Sequence, residues 1–291
     1  LPIFIDGGDD NDIFIYVATA DLVAANALVD RLTGGGGTAD AIVINNNGGA
    51  TFTLASTDLI EARMSGIEKI AAAGVSNQII SITVSDLVWE AGVTTIDLSA
   101  DTNATGSNVI DVSNDDTGDN AWTLTGSAGI DTITGDSGVD TITGGAGADV
   151  INGGAGADVI DGGSGADTIT SGSGADAIIG GDGIDTIILA SGANTISDLG
   201  VTGDVDIVDL NGGTVIATTT GAWTASSATD NAGANAAAFT INVASAGAVD
   251  LTSAGISVAG YTVVSTGTSA VTGSDDADAL TNTSGNATMV G

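Results

Sequence analysis

The stretch Gly144-Gly145-Ala146-Gly147-Ala148-Asp149-Val150-Ile151-Asn152 is followed at once by GGAGADVID (153–161) and GGSGADTIT (162–170). The same nine-residue repeat runs in both directions without a gap, from Gly126 to Ser197: GSAGIDTIT, GDSGVDTIT, the three above, SGSGADAII, GGDGIDTII and LASGANTIS. Position six is Asp131, Asp140, Asp149, Asp158, Asp167, Asp176 and Asp185, then Asn194. Position eight is isoleucine in all eight copies, from Ile133 to Ile196.

Three glycines in the first four positions admit left-handed backbone and let carbonyl oxygens turn toward a common centre. The last three residues read as a short strand whose middle side chain, the isoleucine, faces inward. A chain that turns and then extends in this way winds into a solenoid, two repeats making one 18-residue coil. Coils stacked at the strand spacing of ~4.8 Å place Asp131, Asp149, Asp167 and Asp185 in one row. Asp140, Asp158, Asp176 and Asn194 form the opposite row. Like charges ~5 Å apart repel by roughly 1 kcal/mol in water and about four times that at a protein surface. Each buried isoleucine returns only about 1.5–3 kcal/mol against the entropy of ordering nine residues. The array therefore requires a cation.

Calcium fits best, because it takes many oxygen ligands in flexible geometry, whereas magnesium holds its waters and a tight octahedron. The expected ligands are the aspartates and Asn194, with turn carbonyls among Gly145, Gly147, Gly154, Gly156, Gly163, Gly165, Gly172 and Gly174. Each ion is expected between consecutive coils, giving about five or more ions in all.

Composition supports this reading and removes others. Three cations (Arg31, Arg63, Lys69) against 37 acids give a net charge of −34, which excludes a nucleic-acid partner. All but three of the acids (Glu61, Glu68, Glu90) are aspartate, the shorter side chain that turns and metal sites use. There is no cysteine and no histidine, so disulfides, thiolate sites, imidazole sites and Ser-His-Asp triads are all impossible. No acid pair stands apart from the repeats, and the expectation is a protein without catalytic activity. No apolar run is long enough to span a membrane.

Three regions follow from the pattern. Residues 1–95 hold outlying repeats, GGDDNDIFI (7–15) and GGGTADAIV (35–43), whose position-six Asp12 and Asp40 are further expected metal ligands, as is Asp278 near the C-terminal end. They also hold a mixed α/β insertion, with short helices expected over Thr19–Leu32, Asp58–Met64 and Ser85–Glu90, and strands over Thr51–Ser56 and Ile79–Val84. Residues 96–197 form a parallel β-roll, with irregular coils leading into the strict repeats of 126–197. Residues 198–291 are an irregular continuation that ends in GSDDADALT (273–281), with Asp278 at position six. The fold class is all-β, an elongated parallel β-roll or β-helix with those helical insertions. Repeats at both ends, and no initiator methionine, read as a slice of a longer protein.

The GGxGxD-x-Ile-x pattern resembles the RTX (repeats-in-toxin) calcium-binding β-roll, strictly over residues 126–188. The resemblance implies calcium held in the turns, export as an unfolded chain by type I secretion, and folding on meeting extracellular calcium. Ser127 and Asp136 at position two, Ser171 at position one and the glycine-poor eighth repeat depart from the pattern. The wider composition is similar to S-layer proteins of the RTX type. A structural protein of the bacterial cell surface is the leading expectation, as an S-layer, filament or sheath subunit. Its partners would be neighbouring copies of itself, with cell-surface glycan as a further candidate. The alternatives are an extender or tip segment of a large RTX adhesin, and the non-catalytic repeat region of an exported hydrolase or toxin.

Overall fold

The computed structural model describes residues 4–16, 31–45, 51–54, 64–74, 78–85, 92–114, 120–190, 192–199, 206–210, 214–219, 223–224, 239–243, 249–250, 261–265, 270–272, 279–282 and 288–290. The chain divides into two units, Leu1–Val150 and Ile151–Gly291. Every described strand pair is parallel, and among the described residues there is no helix. The solenoid reading of the repeat is thus correct.

In the N-terminal unit one sheet stacks Thr51–Leu54, Ile79–Ser85, Ser107–Asn114 and Ile130–Thr134 in that order. A second stacks Ile13–Tyr16, Ala41–Ile44, Lys69–Ala72, Thr95–Asp97, Thr123–Thr125 and Thr141–Ala146. A small third sheet holds Phe4–Asp6, Arg31–Thr33 and Met64–Ser65. In the C-terminal unit Thr168–Thr170, Thr186–Leu189 and Ile207–Leu210 form one stack. Val159–Ser164, Ala177–Asp182, Ala193–Ile196, Thr214–Thr219, Phe239–Val243, Tyr261–Ser265 and Ala279–Asn282 form another. Trp223–Thr224, Val249–Asp250, Ala270–Thr272 and Thr288–Val290 form a third.

The period-two pattern explains the core. Ile133, Ile142, Ile151, Ile160, Ile169, Ile178, Ile187 and Ile196 are all buried, as are Ile80, Ile82 and Val84 on one side of their strand. In each unit these residues meet their own kind in register, Ile160 against Ile178 and Leu124 against Ile142. Each such side chain contributes about 1.5–3 kcal/mol of burial. The flanking positions face outward, and Val150 and Val159 remain 48% exposed.

Two features differ from the sequence reading. First, strands on one side of the roll run six residues rather than three, as in Val159–Ser164 and Ala177–Asp182. Pairing continues through the glycines, with Gly163 opposite Gly181, because no side chain interrupts it. Second, the expected helices lie mostly outside the described residues, and their described ends (Arg31–Leu32, Met64 and Ser85) are strand.

Candidate metal centre

Position six of each repeat lies at or just before the start of a strand, and within each unit stacking puts position-six residues 18 apart over one another. The contact that results is the same in each unit. The backbone N–H of one residue donates to the Oδ1 of the acid one coil later: Asp131 to Asp149 at 2.8 Å, Asp158 to Asp176 at 3.1 Å, Asp167 to Asp185 at 2.8 Å and Asp176 to Asn194 at 2.9 Å. All four pairs are 18 residues apart, the expected coil length. Trp122 donates likewise to Asp140, at 2.9 Å. One side-chain oxygen each of Asp140, Asp149, Asp176, Asp185 and Asn194 is therefore committed to the protein backbone.

The second oxygen is what makes the site. Asp131, Asp140, Asp149, Asp158, Asp167, Asp176, Asp185 and Asn194 are all buried. The Oδ2 atoms of Asp176 and Asp185 are buried with no hydrogen-bond partner. Glycines keep space open beside the second oxygens of Asp158 and Asp167. A carbon built on Gly162 would fall against the Gly180 carbonyl and 2.6 Å from Asp167 Oδ2, and one on Gly153 would fall against the Ser171 carbonyl and 2.8 Å from Asp158 Oδ2. A carboxylate oxygen and a carbonyl of the next coil thus border one volume that a methyl group would fill. Gly145, Gly147, Gly154, Gly156, Gly163, Gly165, Gly172 and Gly174, at positions two and four, have φ between 87° and 148°, the left-handed backbone that turns the chain around this volume.

Electrostatics in the turns favour a cation. The Asp185 carboxyl is pushed up to about 7, first by burial, with the carboxylates of Asp206, Asp167 and Asp198 acting in the same direction and the Asp167 N–H opposing. Burial also raises Asp176, against the Asp158 N–H and the Ser171 hydroxyl. It raises Asp131 and Asp161 too, Asp161 with help from Asp198. Among the described residues no three acidic side chains converge on one point. A cation here must therefore draw on carbonyls as well as carboxylates, the donor mixture calcium accepts. The residues present fit that ion.

The first two repeats behave differently. Ser127 stands where later repeats have glycine, and its hydroxyl donates to Asp131 Oδ2 at 2.9 Å, with its N–H bonding the same oxygen. Asn108 donates its N–H to Asp131 Oδ1 at 3.2 Å and its side-chain amide to Ser127 and Asp101. Asp136 N–H donates to Asp140 Oδ2 at 3.1 Å. Protein groups therefore reach the second oxygen where position two is not glycine.

The pattern of residues 123–197 matches the family model for the RTX calcium-binding nonapeptide repeat, over five overlapping segments: 123–151, 134–169, 145–178, 152–187 and 170–197. This stretch is an RTX repeat region. It covers about a quarter of the chain. Neither the curated proteins nor the solved structures yield a match. RTX repeats bind calcium, serve a structural rather than a catalytic role, and are typical of proteins exported by type I secretion.

Asp12 and Asp40, expected from isolated repeats, are stacked on each other 28 residues apart. Asp278 lies outside the described residues. Three participants escaped the sequence reading. Glu68 accepts the Asp40 N–H at 2.8 Å, Asn108 accepts the Ile80 N–H at 2.8 Å, and Asp206 accepts the Asp185 N–H at 3.1 Å. Each fills position six of a coil longer than 18 residues: Glu68 and Asn108 lie 28 residues from their donors and Asp206 lies 21. The signal available was Gly-x-Glu-x-Ile at Glu68, Gly-x-Asn-x-Ile at Asn108 and Asp-x-Val at Asp206, without the glycine pair that opens the regular repeat. Trp122 is buried in the core, and Ile179 is 39% exposed on the outer face.

Proposed function

We propose that the chain is a calcium-hardened structural element of a bacterial cell surface, an S-layer, filament or sheath subunit whose RTX roll becomes rigid in extracellular calcium. The observation that carries this reading is the pair of buried, unpartnered Oδ2 atoms of Asp176 and Asp185, in a chain of net charge −34. Calcium supplies the positive charge and the coordination shell that these oxygens lack. The chain's own residues supply the rest. The Oδ1 atoms fix each acid to the preceding coil, the glycines keep the volume open, and the isoleucines exclude water beneath it. The ligands of the regular array are Asp149, Asp158, Asp167, Asp176, Asp185 and Asn194 with turn carbonyls. Asp131 and Asp140 contribute less, since Ser127 and Asp136 occupy them.

Support for assembly comes from where the charge lies. Acids are concentrated in the turns, while the outward sheet positions are largely threonine and small apolar residues: Thr123 and Thr125 beside Thr141 and Thr143, with Val150 and Val159 exposed. With the turn charge neutralised, such faces can pack against further copies without repulsion. Electron microscopy of calcium-replete protein tests the assembly. Ordered sheets or filaments that dissolve in chelator are expected. Dispersed monomers at saturating calcium would overturn the lattice and favour an adhesin extender.

A further inference from the structure

We propose that Asp12, Asp40 and Glu68 form a second calcium-binding column, built on 28-residue coils and separate from the nonapeptide region. It shares the cation chemistry of the proposed array but does not depend on that array. The Asp12 N–H donates to Asp40 Oδ1 at 2.6 Å and the Asp40 N–H to Glu68 Oε2 at 2.8 Å, both across 28 residues. This is the ladder of residues 126–197 with a longer coil. Asp40 is 0% exposed, and its Oδ2 has no hydrogen-bond partner, nor has the buried Oδ2 of Asp12. A fully buried carboxylate with one oxygen unanswered needs a proton or a cation.

The surroundings favour a cation. A carbon built on Gly34 would collide with both Asp40 Oδ2 and the Gly66 carbonyl, and one on Gly7 would collide with Asp12 Oδ2. A carbon on Gly37 would lie 2.6 Å from the Asp10 carbonyl and 2.9 Å from Asp40 Oδ2. Gly8, Gly35 and Gly66 take φ of 105°, 88° and 61°, which turns the chain around the acids. Carboxylate and carbonyl oxygens again border a volume reserved by missing side chains. Lys69, next in sequence to Glu68, does not neutralise the column, because its Nζ pairs with Asp97 Oδ2 at 2.6 Å. Oxygen donors of this kind, with no nitrogen or sulfur among them, select a hard divalent ion, and the mixed carbonyl set favours calcium over magnesium.

The column is electrically separate from the array. Register places Thr94 and then Trp122 in line with Glu68, before Asp140 restores an acid. Three coil steps of ~4.8 Å put Glu68 roughly 14 Å from Asp140, beyond the screening length of about 8 Å at physiological salt. The two clusters therefore bind cations as separate sites.

The test uses the full chain and follows hydrogen exchange of segments 31–45 and 159–190 during a calcium titration, in the wild type, Asp40→Asn, Glu68→Gln and Asp176→Asn. In the wild type, segment 31–45 should gain protection with calcium. Asp40→Asn should move that response by about tenfold or more in calcium while leaving 159–190 unchanged, since affinity follows ligand charge. Asp176→Asn should do the reverse. If Asp40→Asn leaves 31–45 unprotected at every calcium concentration, Glu68→Gln, which keeps the hydrogen-bond acceptor, decides. A shifted response upholds the column, and a wild-type response overturns it. Equal protection of wild-type 31–45 in chelator and in calcium also overturns it. Calcium-insensitive exchange in 159–190 alone would instead count against the array.

Discussion

Replacing Asp185 by asparagine should change stability in opposite directions with and without calcium. Asparagine keeps an Oδ1 to accept the Asp167 N–H, held at 2.8 Å, so the backbone ladder survives and only charge is lost. Asp185 is fully buried, and its carboxyl rises from 3.8 to about 7. At about 1.4 kcal/mol per pH unit that shift has an upper bound near 4 kcal/mol, and screening by water at the turn brings it to about 2 kcal/mol. In chelator at pH 8, Asp185→Asn should therefore stabilise whatever roll persists by about 2 kcal/mol. In saturating calcium it should destabilise the roll, because a charged ligand has been removed while its neighbours Asp167 and Asp206 remain. Urea unfolding followed by circular dichroism, run in both conditions, measures the two effects. Equal destabilisation in chelator and in calcium would refute the reasoning, leaving Asp185 as a hydrogen-bond acceptor and nothing more.

Other consequences are simpler to check. Gly181→Ala places a carbon against the Gly163 carbonyl at a φ of 104°, whereas Gly8→Ala, at 105°, meets nothing within 4 Å. The first should raise the calcium midpoint of folding markedly, and the second should cost only the ~1 kcal/mol of left-handed strain. Ile160→Ala should cost about 2–5 kcal/mol in urea unfolding and Val159→Ala, one residue away but half-exposed, about 0.5 kcal/mol or less. In chelator the β signal should be stronger at pH 5 than at pH 8. The raised Asp185 value means the folded chain holds its proton more tightly than the unfolded one, so this stability is full below about 4 and lost as pH rises to about 7. Excess calcium should reverse that trend, since protons then compete with the metal.

The regular part of the site was legible because one coil equals two repeats. With a fixed 18-residue step, the phase of isoleucine and aspartate alone places Asp158 under Asp176 and Ile160 beside Ile178. Elsewhere the coil length varies while the strand pairing does not. Asp12, Asp40 and Glu68 are 28 residues apart, Asn108 and Asp131 are 23 apart, and Asp185 and Asp206 are 21 apart. What aligns these residues is parallel pairing of short apolar strands, with the extra residues carried in the connections. A search for period nine cannot find them. Nor could period alone show that Ser127 would satisfy Asp131, because that depends on a hydroxyl reaching across a turn. The two glycine ranks, in contrast, were legible as turn formers and are found at left-handed backbone, as at Gly163.

The Oδ1 ladder gives the roll a direction. In each of the contacts described above, the backbone N–H is answered by a side-chain oxygen from the coil that follows it in sequence. A stack grown from its C-terminal side always offers the incoming coil a waiting acceptor. A stack grown from its N-terminal side ends on a bare N–H, which costs about 1–3 kcal/mol if it is buried unanswered. Completion of any coil is thus owed to its successor, and a truncation should harm the roll more when it removes residues after a given coil than when it removes those before it.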